Sequence, residues 1–268
     1  MQHFYEFAIQ PYLEKISPKH IIEIGAERGL NTTKILTYCE NHDCRLTSID
    51  PFPLFDFNSL KEKYGNKFNM VSDLSLNALP QIDPCDIAMI DGDHNWYTVF
   101  NELKTIEKIN LLNNHPFPII FFHDIGWPYA RRDMYYNPEN IPLEFQQPHK
   151  KQGIIPNQNE LSNDSQLGLN HDVANAIHEG GEKNGVLTAV EDFIKKSELN
   201  LALYLIHGQH GFGILFEKNE FNNSLFDLLD IQSNAAKLAE YGRINYMVKY
   251  TNLYSEKENK KSWWKKIF

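Results

Sequence analysis

The amino-acid sequence predicts an α/β fold, with a seven-stranded, mostly parallel sheet and helices on both of its faces. Two observations predict it. Short apolar runs alternate with amphipathic stretches through residue 122, which is the pattern of strands joined by helices. The first apolar run ends in a glycine-containing loop that opens the following helix. A parallel sheet needs cover on both faces, so we expect the helices to pack on either side.

Five strands and four helical segments are predicted in the first half of the chain. The strands cover residues 20–25, 45–50, 67–73, 85–91 and 117–124. The helical segments cover residues 31–40, 57–65, 74–82 and 96–112. The strands are short apolar runs, as expected for strands that are buried on both faces.

The alternation lapses over residues 126–184, a polar stretch that carries five prolines. A stretch this long without evident regular structure is usually functional or disordered in a compact domain. We expect an irregular insertion after strand five that forms a lid over the binding site of an acceptor substrate. Regular structure resumes with a helix over residues 185–197 and two strands, residues 199–207 and 211–218, joined by the turn-prone sequence GQHG.

The domain organisation follows from these segments. We expect one domain over residues 1–218 and a helical extension over residues 219–268 that ends in a basic, aromatic tail. The formal net charge of −9 argues against a partner that is a nucleic acid, because binding to phosphate backbones depends on Lys and Arg. A small-molecule partner is expected instead, and a homo-oligomer is left open.

The cysteines and the N-terminal residues predict a cytoplasmic protein. Cys39, Cys44 and Cys85 show no CxxC spacing and are interpreted as small buried hydrophobic residues. No window reaches the ~18 apolar residues of a membrane span, and the N-terminus lacks a basic region followed by a long apolar run. We therefore expect no transmembrane segment.

The glycine loop "IIEIGAERGLNTT" has acidic partners. Gly25 and Gly29 let the backbone approach a ligand, although their spacing departs from the dinucleotide fingerprint G-x-G-x-x-G. Asp50, at the end of the second strand, can accept both hydroxyls of a ribose. Glu23 adds negative charge that would repel a pyrophosphate but would suit a cationic sulfonium with an amino group. The alternative is that Glu23 and Asp50 are only polar residues at strand ends.

The pattern E-I-G-x-x-x-G-x-x-T, the acidic end of strand two and the acidic loop V-S-D after strand three resemble the class I S-adenosylmethionine-dependent methyltransferases over residues 20–217. The resemblance implies a Rossmann-like sheet with the methionine part near Gly25, the ribose at Asp50 and the adenine near Asp73. The cofactor contacts predicted in this way are Glu23, Gly25, Ala26, Glu27, Gly29, Asn31, Thr32, Asp50, Asp73 and Asp91.

Two further strand ends, in "IDGDH" and "FFHD", are expected to face one cleft, because ligands bind at the carboxyl ends of parallel strands. Asp91 and Asp124 are hard oxygen donors that suit Mg²⁺, and His123 would add a nitrogen that favours Mn²⁺ or Fe²⁺. This region resembles metal-dependent catechol and sugar O-methyltransferases, which implies that Asp91, His123 and Asp124 bind a divalent metal. His123 departs from the carboxylate or amide that is more common there. The alternative is a conformational Asp-Gly turn beside a surface histidine.

His94 lies three residues after Asp91, where the resemblance implies a general base, and an unperturbed pKa of ~6.5 suits histidine to that role. The predicted substrate contacts follow strand five or lie in the glycine-rich sequence before the next helix: Trp127, Tyr129, Arg131, Arg132 and Asn184. The two arginines could bind the phosphates of a nucleotide sugar. Alternatively, these residues pack as a lid or form a subunit interface, and Asp133 pairs with an arginine.

The sequence therefore predicts a methyltransferase of the family 24 type that methylates a hydroxyl of a sugar or nucleotide sugar, using S-adenosylmethionine and a divalent metal. The sequence after Glu179 is typical of bacterial methyltransferases of surface-polysaccharide biosynthesis, which implies a role in capsule, lipopolysaccharide or other glycan synthesis. The alternatives are an O-methyltransferase for a catechol-like or macrolide acceptor, a metal-dependent hydroxylase-like protein, and a binding protein without catalysis.

Overall fold

The computed structural model describes residues 1–164, 167–224 and 239–250. The N-terminal segment forms a 3₁₀ turn (Gln2–Phe4), a π-helical turn (Tyr5–Ile9) and helix α1 (Gln10–Ile16). The strands of the main sheet are β1 (His20–Ile24), β2 (Arg45–Ile49), β3 (Phe68–Val71), β4 (Ile87–Ile90) and β5 (Ile119–His123). The helices between them are α2 (Leu30–Asn41), α3 (Phe57–Tyr64), α4 (Ser75–Ala78) and α5 (Trp96–Leu112).

Three short strands follow β5: β6 (Met134–Tyr135), β7 (His149–Lys151) and β8 (Ala174–Ala176). The domain then closes with α6 (Val186–Lys196), β9 (Leu201–Ile206), β10 (Phe212–Glu217) and α7 (Glu220–Ser224). Residues 239–250, within the predicted C-terminal extension, are helical. The basic, aromatic tail lies outside the described residues.

The main sheet has seven strands in the order β3-β2-β1-β4-β5-β10-β9. The first five strands are parallel, while β10 pairs antiparallel with both β5 and β9. The predicted α/β fold class and the seven-stranded, mostly parallel sheet are therefore confirmed. Chain order reverses between β1 and β4, so the carboxyl ends of these neighbouring strands border a crevice.

Alternate residues of each central strand face opposite sides of the sheet and join two separate hydrophobic cores. In β5, Ile120 and Phe122 join the core under α5 and α6, while Phe121 joins the core under α1 and α2. Burial on both faces explains why these strands are almost wholly apolar in the sequence. Cys39, Cys44 and Cys85 are free and buried, in agreement with their interpretation as hydrophobic residues. No helix within the described residues is long and apolar enough to cross a membrane.

The insertion over residues 126–184 differs from its prediction as irregular. It contains a three-stranded antiparallel sheet in the order β6-β8-β7, and Met134 also bridges to His94 in the main domain. Strands of two or three residues are too short to show a repeating pattern of hydrophobicity. The insertion is thus fixed beside the carboxyl ends of the main strands.

Candidate active site

The loop after β1 passes very close to the turn after β4. Gly25 has φ +86°, and a Cβ added there would lie 2.2 Å from the backbone oxygen of Asp91. Gly29 has φ +71°, and its Cβ would come within 2.8 Å of the Phe55 ring. Only glycine combines this backbone conformation with so close an approach. The two predicted loop glycines therefore bring the ends of β1 and β4 together.

A cleft of about 410 Å³ opens at these strand ends. Four of the predicted cofactor residues line it, namely Gly25, Glu27, Asp50 and Asp91. The prediction did not include the other polar and aromatic lining residues: Phe52, Ser75, Asp93, Tyr136, Asn137 and Asn140. A signal for Asp93 was present, because it lies in the same turn as Asp91. The last three come from the insertion, whose position could not be read from sequence.

The Asp50 carboxylate holds the glycine loop to the end of β2. Its Oδ2 accepts hydrogen bonds from the backbone N–H groups of Ala26 at 2.9 Å and Glu27 at 2.8 Å, and its Oδ1 accepts from that of Phe52 at 2.8 Å. A carboxylate offers about four lone-pair positions, so Asp50 can still accept from a ligand in the cleft.

Glu23 lies beneath the loop and does not line the cleft, which corrects its prediction as a cofactor contact. Its carboxylate accepts from Asn31 Nδ2 at 2.9 Å, Thr32 Oγ1 at 2.6 Å and Ser48 Oγ at 2.7 Å. Burial raises the pKa of Glu23, and these three hydrogen bonds oppose that rise. Asn31 and Thr32 are themselves buried in this network, so the same correction applies to them. The three residues anchor the start of α2 to β1.

Asp73 caps the turn that leads into α4. Its Oδ1 accepts from the backbone N–H of Leu74 at 2.6 Å and from Asn77 Nδ2 at 3.1 Å. Its neighbours Leu74 and Ser75 line the cleft, whereas Asp73 itself does not. The sequence neighbours of Asp73 therefore border the cleft, while its own carboxylate serves the turn.

A cluster of three ionisable side chains, Asp91, His123 and Asp124, lies at the ends of β4 and β5. One ligand atom from each of the three residues lies within 4.8 Å of the others. Nδ1 of His123 is 3.1 Å from Asp91 Oδ1 and 2.8 Å from Asp124 Oδ2. Asp124 adopts the left-handed conformation, φ 57°. The two strand ends therefore converge as the sequence predicts.

Positive charge balances the two carboxylates of this cluster. Burial opposes a charge on His123, but Asp91 and Asp124 outweigh that effect and raise the pKa of His123 to about 10. The α-amino group of Met1 donates to Asp91 Oδ2 at 2.7 Å. Burial likewise opposes the charge on Asp124, yet His94 and His123 hold its pKa well below the usual range.

The donor set fits a divalent cation. Two carboxylates and one imidazole, drawn from adjacent strand ends, are ligands that Mg²⁺ or Mn²⁺ accepts. The outer nitrogen of His123, Nε2, is 2.8 Å from the carbonyl oxygen of Gln209, which is the type of outer contact that orients metal-binding imidazoles. An iron oxygenase would favour the reverse ratio, two imidazoles and one carboxylate.

His94 lies beside this cluster. Its Nε2 is 2.8 Å from Asp124 Oδ2, whereas its buried Nδ1 has no hydrogen-bond partner among the described residues. Burial opposes a charge on His94, but Asp124 outweighs it and raises the pKa. The rings of Tyr129 and Tyr136 lie 5.2 Å and 6.0 Å from the imidazole.

A smaller chamber of about 220 Å³ adjoins His94 and Asp124. Tyr136 borders both this chamber and the larger cleft. Four further side chains that border it bring aromatic and polar groups: Tyr129, Asn170, His210 and His94. Asp91 lines the larger cleft and Asp124 lines the chamber, so the cluster borders both pockets. Among the predicted substrate residues, Tyr129 is the one that borders it.

Both predicted phosphate-binding arginines are used within the protein, which corrects that prediction. Arg131 forms two hydrogen bonds with the Glu191 carboxylate, at 2.6 Å and 2.7 Å. Arg132 is fully buried and donates to the backbone oxygens of Ala176, Ile177 and Asn159. Their partners are distant in sequence, so no local pattern could identify them.

Asn184, Asp133 and Trp127 also differ from their predictions. Asn184 is buried, accepts from the Asp133 N–H at 2.7 Å and donates to two backbone oxygens. Asp133 pairs with no arginine in the described part of the chain; its carboxylate accepts from the N–H groups of Trp96 and Gly185 and from Tyr135 Oη. Trp127 borders a separate surface pocket with Arg131. These residues fasten the insertion to the starts of α5 and α6.

One family model and several solved structures are similar to this chain. Residues 22–125 match the family model described as a methyltransferase domain. No curated protein sequence matches the chain. Among solved structures, the S-adenosylhomocysteine-bound methyltransferase PaMTH1 of Podospora anserina is 14% identical, with 79% of each chain covered and a TM-score of 0.47. The 1,6-didemethyltoxoflavin-N1-methyltransferase of Burkholderia thailandensis is 11% identical, with 75% of this chain and 71% of that one covered and a TM-score of 0.42.

Sequence identities of 14% and 11% to these two structures indicate no particular reaction for this chain. The matched segment runs from β1 to the residue after Asp124, so it contains the glycine loop, most of the residues that line the cleft and the Asp91–His123–Asp124 cluster. The insertion and the closing strands lie outside it. The similarity to a methyltransferase domain thus covers the parallel part of the sheet, from Ile22 to Ile125.

Proposed function

We propose that the protein transfers a methyl group from S-adenosylmethionine to a hydroxyl oxygen of a small-molecule acceptor. The observation that carries this proposal is the position of the Asp91–His123–Asp124 cluster between two pockets. The larger cleft, with Gly25 and Asp50, suits a nucleoside-like cofactor, and the chamber beside His94 suits an acceptor. The cluster is therefore where the two substrates would meet.

Asp91, His123 and Asp124 would hold the divalent cation, Mg²⁺ or Mn²⁺. Such a cation, when bound, lowers the pKa of an acceptor hydroxyl and stabilises the developing alkoxide. The buried position of Asp124 and His94 limits the access of water.

His94 would take the proton from the acceptor hydroxyl. Asp124 Oδ2 can only accept a hydrogen bond, so Nε2 of His94 carries a hydrogen and Nδ1 is the nitrogen with a free lone pair. The hydrogen bond from the Met134 N–H to the His94 backbone oxygen, 3.0 Å, fixes the residue from the insertion side. This pairing of an imidazole with an orienting carboxylate is the usual arrangement of a general base.

The acceptor that we propose is a sugar, either free or carried on a glycoside or nucleotide, in glycan biosynthesis. Aromatic rings such as Tyr129 and Tyr136 offer flat surfaces for a sugar ring. With Arg131 and Arg132 engaged inside the protein, phosphate recognition contributes less to this choice than the sequence predicts. The insertion, in this proposal, covers the acceptor.

A catechol-like acceptor is the second candidate, because the same aromatic rings border the chamber. One experiment tests both. The purified protein is incubated with S-adenosylmethionine, Mg²⁺ or Mn²⁺, and matched panels of glycosides, nucleotide sugars and catechols, and each product is examined by mass spectrometry for one added methyl group. We expect methylation of a sugar hydroxyl that EDTA abolishes and Mn²⁺ restores. Methylation of catechols alone would replace the sugar acceptor, and transfer unaffected by EDTA would contradict the metal role.

A further inference from the structure

The turn between β9 and β10 covers the end of β5, where His123 lies. Phe212 of β10 pairs with His123 in the antiparallel register, so the preceding turn, Gly208 to Gly211, projects beyond the sheet over the residues that follow His123. Gln209 and His210 both have positive φ, 45° and 71°. Two consecutive non-glycine residues in this conformation indicate a turn whose shape its surroundings impose.

Two backbone groups of this turn hold the segment after β5. The Gln209 carbonyl oxygen is 2.8 Å from Nε2 of His123, and the His210 carbonyl oxygen accepts from the N–H of Gly126 at 2.6 Å. A carbonyl oxygen can only accept, so Nε2 of His123 carries a hydrogen. Nδ1 is then the nitrogen that faces Asp91 and Asp124.

The approach of the two backbones depends on glycine on both sides. A Cβ at Gly126 would lie 2.7 Å from the His210 oxygen, and a Cβ at Gly211 would lie 2.4 Å from the Gly126 nitrogen. Such distances require the turn to move away. Gly208, in the same turn, has φ +106° but no atom within 4 Å of its Cβ position. The close contact is thus confined to Gly126 and Gly211.

We propose that the β9–β10 turn is a positioning element of the cation site: the Gln209 carbonyl fixes the His123 imidazole, and the Gly126–Gly211 contact fixes that carbonyl. The inference rests on the metal site of the proposed function. Metal-binding imidazoles are held by an outer hydrogen bond to their second nitrogen, and loss of such a bond typically lowers metal affinity. The turn is separated from the ligands Asp91 and Asp124 by more than eighty residues in sequence.

Three substitutions distinguish the effect of a steric clash between the two backbones from the effect of a strained backbone conformation. Gly126→Ala adds the clash without a positive φ, Gly208→Ala adds a strained φ without a clash, and Gly211→Ala adds both. Mn²⁺ affinity is measured for each full-length variant by electron paramagnetic resonance titration. Exchange of the His123 Nε2 hydrogen is followed by NMR in the metal-free protein, and thermal melts confirm that each variant is folded.

We expect Gly126→Ala and Gly211→Ala to weaken Mn²⁺ binding by about tenfold to 100-fold and to accelerate exchange of the Nε2 hydrogen, while Gly208→Ala leaves both unchanged. Equal Mn²⁺ affinity and equal exchange in all four proteins would overturn the inference. If the wild-type protein binds no Mn²⁺, the metal role in the proposed function fails. In that case the exchange rate alone tests whether the turn positions the His123 imidazole. Faster exchange in Gly126→Ala supports the inference, and an unchanged rate overturns it.

Discussion

At the scale of single residues, hydrogen-bond partners decide which atoms are free for chemistry. Asp124 engages Nε2 of His94 and Nδ1 of His123 with the same oxygen. In the proposed function, each histidine thereby has one nitrogen of a defined role: Nδ1 of His94, which has no hydrogen-bond partner among the described residues, would accept the proton, and Nε2 of His123 is held by the Gln209 carbonyl. A sequence gives the residue types at the strand ends, but these roles depend on contacts across two strands and a distant turn.

We expect His94→Gln to lower the rate of methyl transfer by about 10²- to 10⁴-fold, the usual contribution of a general base. The affinity for S-adenosylhomocysteine should remain as in the wild-type protein, because His94 borders the chamber and not the larger cleft. Single-turnover kinetics and calorimetric titration measure the two quantities. His115→Gln is the matched control, since His115 pairs with Asp86 at the amino ends of the strands. Full activity in His94→Gln would remove it from the role of base.

The two neighbouring arginines should differ in their effect on stability. Arg132→Met removes a buried guanidinium that donates to three backbone oxygens and should lower the free energy of unfolding by about 3 kcal/mol or more. Arg131→Gln breaks a partly exposed pair with Glu191 and should cost about 0–1 kcal/mol. Denaturant unfolding checks both values.

Neither substitution should raise the KM for a nucleotide sugar more than the KM for the matching free glycoside. A selective rise in the KM for the nucleotide sugar in Arg131→Gln would show that Arg131 contacts a phosphate of the substrate, as the sequence predicts.

At the scale of helices and strands, local pattern predicts the central elements well and the insertion poorly. The observed β5, Ile119–His123, falls within the predicted range 117–124, and α5 matches its prediction, because continuous apolar burial leaves a strong signal. Gly185 precedes α6, and the side chains of Thr188 and Glu191 in this helix accept hydrogen bonds from Arg131. Contacts sixty residues apart leave no local pattern.

The buried face of α5 carries an acid that should make stability depend on pH. Glu102 is fully buried, burial raises its pKa to about 8, and the hydrogen bond from Ser75 Oγ at 2.5 Å only partly opposes that rise. Its folded pKa thus lies above the unfolded value of about 4.3. The folded protein holds this proton more tightly, so the contribution is fully present below the unfolded pKa and is lost as pH rises through about 8.

Glu102→Gln should remove this pH dependence. The difference in unfolding free energy, variant minus wild type, should increase by about 1–3 kcal/mol as the pH rises from about 5 to about 9. Comparing the two proteins at each pH cancels the titration of their shared groups. A constant difference across this range would show that Glu102 does not titrate as its burial implies.

At the scale of the whole molecule, two pockets border one charged cluster, the larger at Asp91 and the smaller at Asp124. Strand order brings β1, β4 and β5 together, and the insertion and the β9–β10 turn close over their ends. The sequence is sufficient to predict the sheet, the cluster and four of the residues that line the cleft, because ligands gather at the carboxyl ends of parallel strands. The remaining lining comes from segments whose folding depends on tertiary contacts, such as the hydrogen bonds of Asp133.

The claim on which the rest depends is that the cleft beside Gly25 and Asp50 binds S-adenosylmethionine. Isothermal titration of this compound into the wild-type protein and into Asp50→Ala tests it without knowledge of the acceptor, and Asp43→Ala, on an exposed acid paired with Lys19, is the control. We expect binding at one site per chain that is weakened at least tenfold, about 1.4 kcal/mol, in Asp50→Ala and unchanged in Asp43→Ala. No binding to the wild-type protein, or equal binding to all three, would contradict the account.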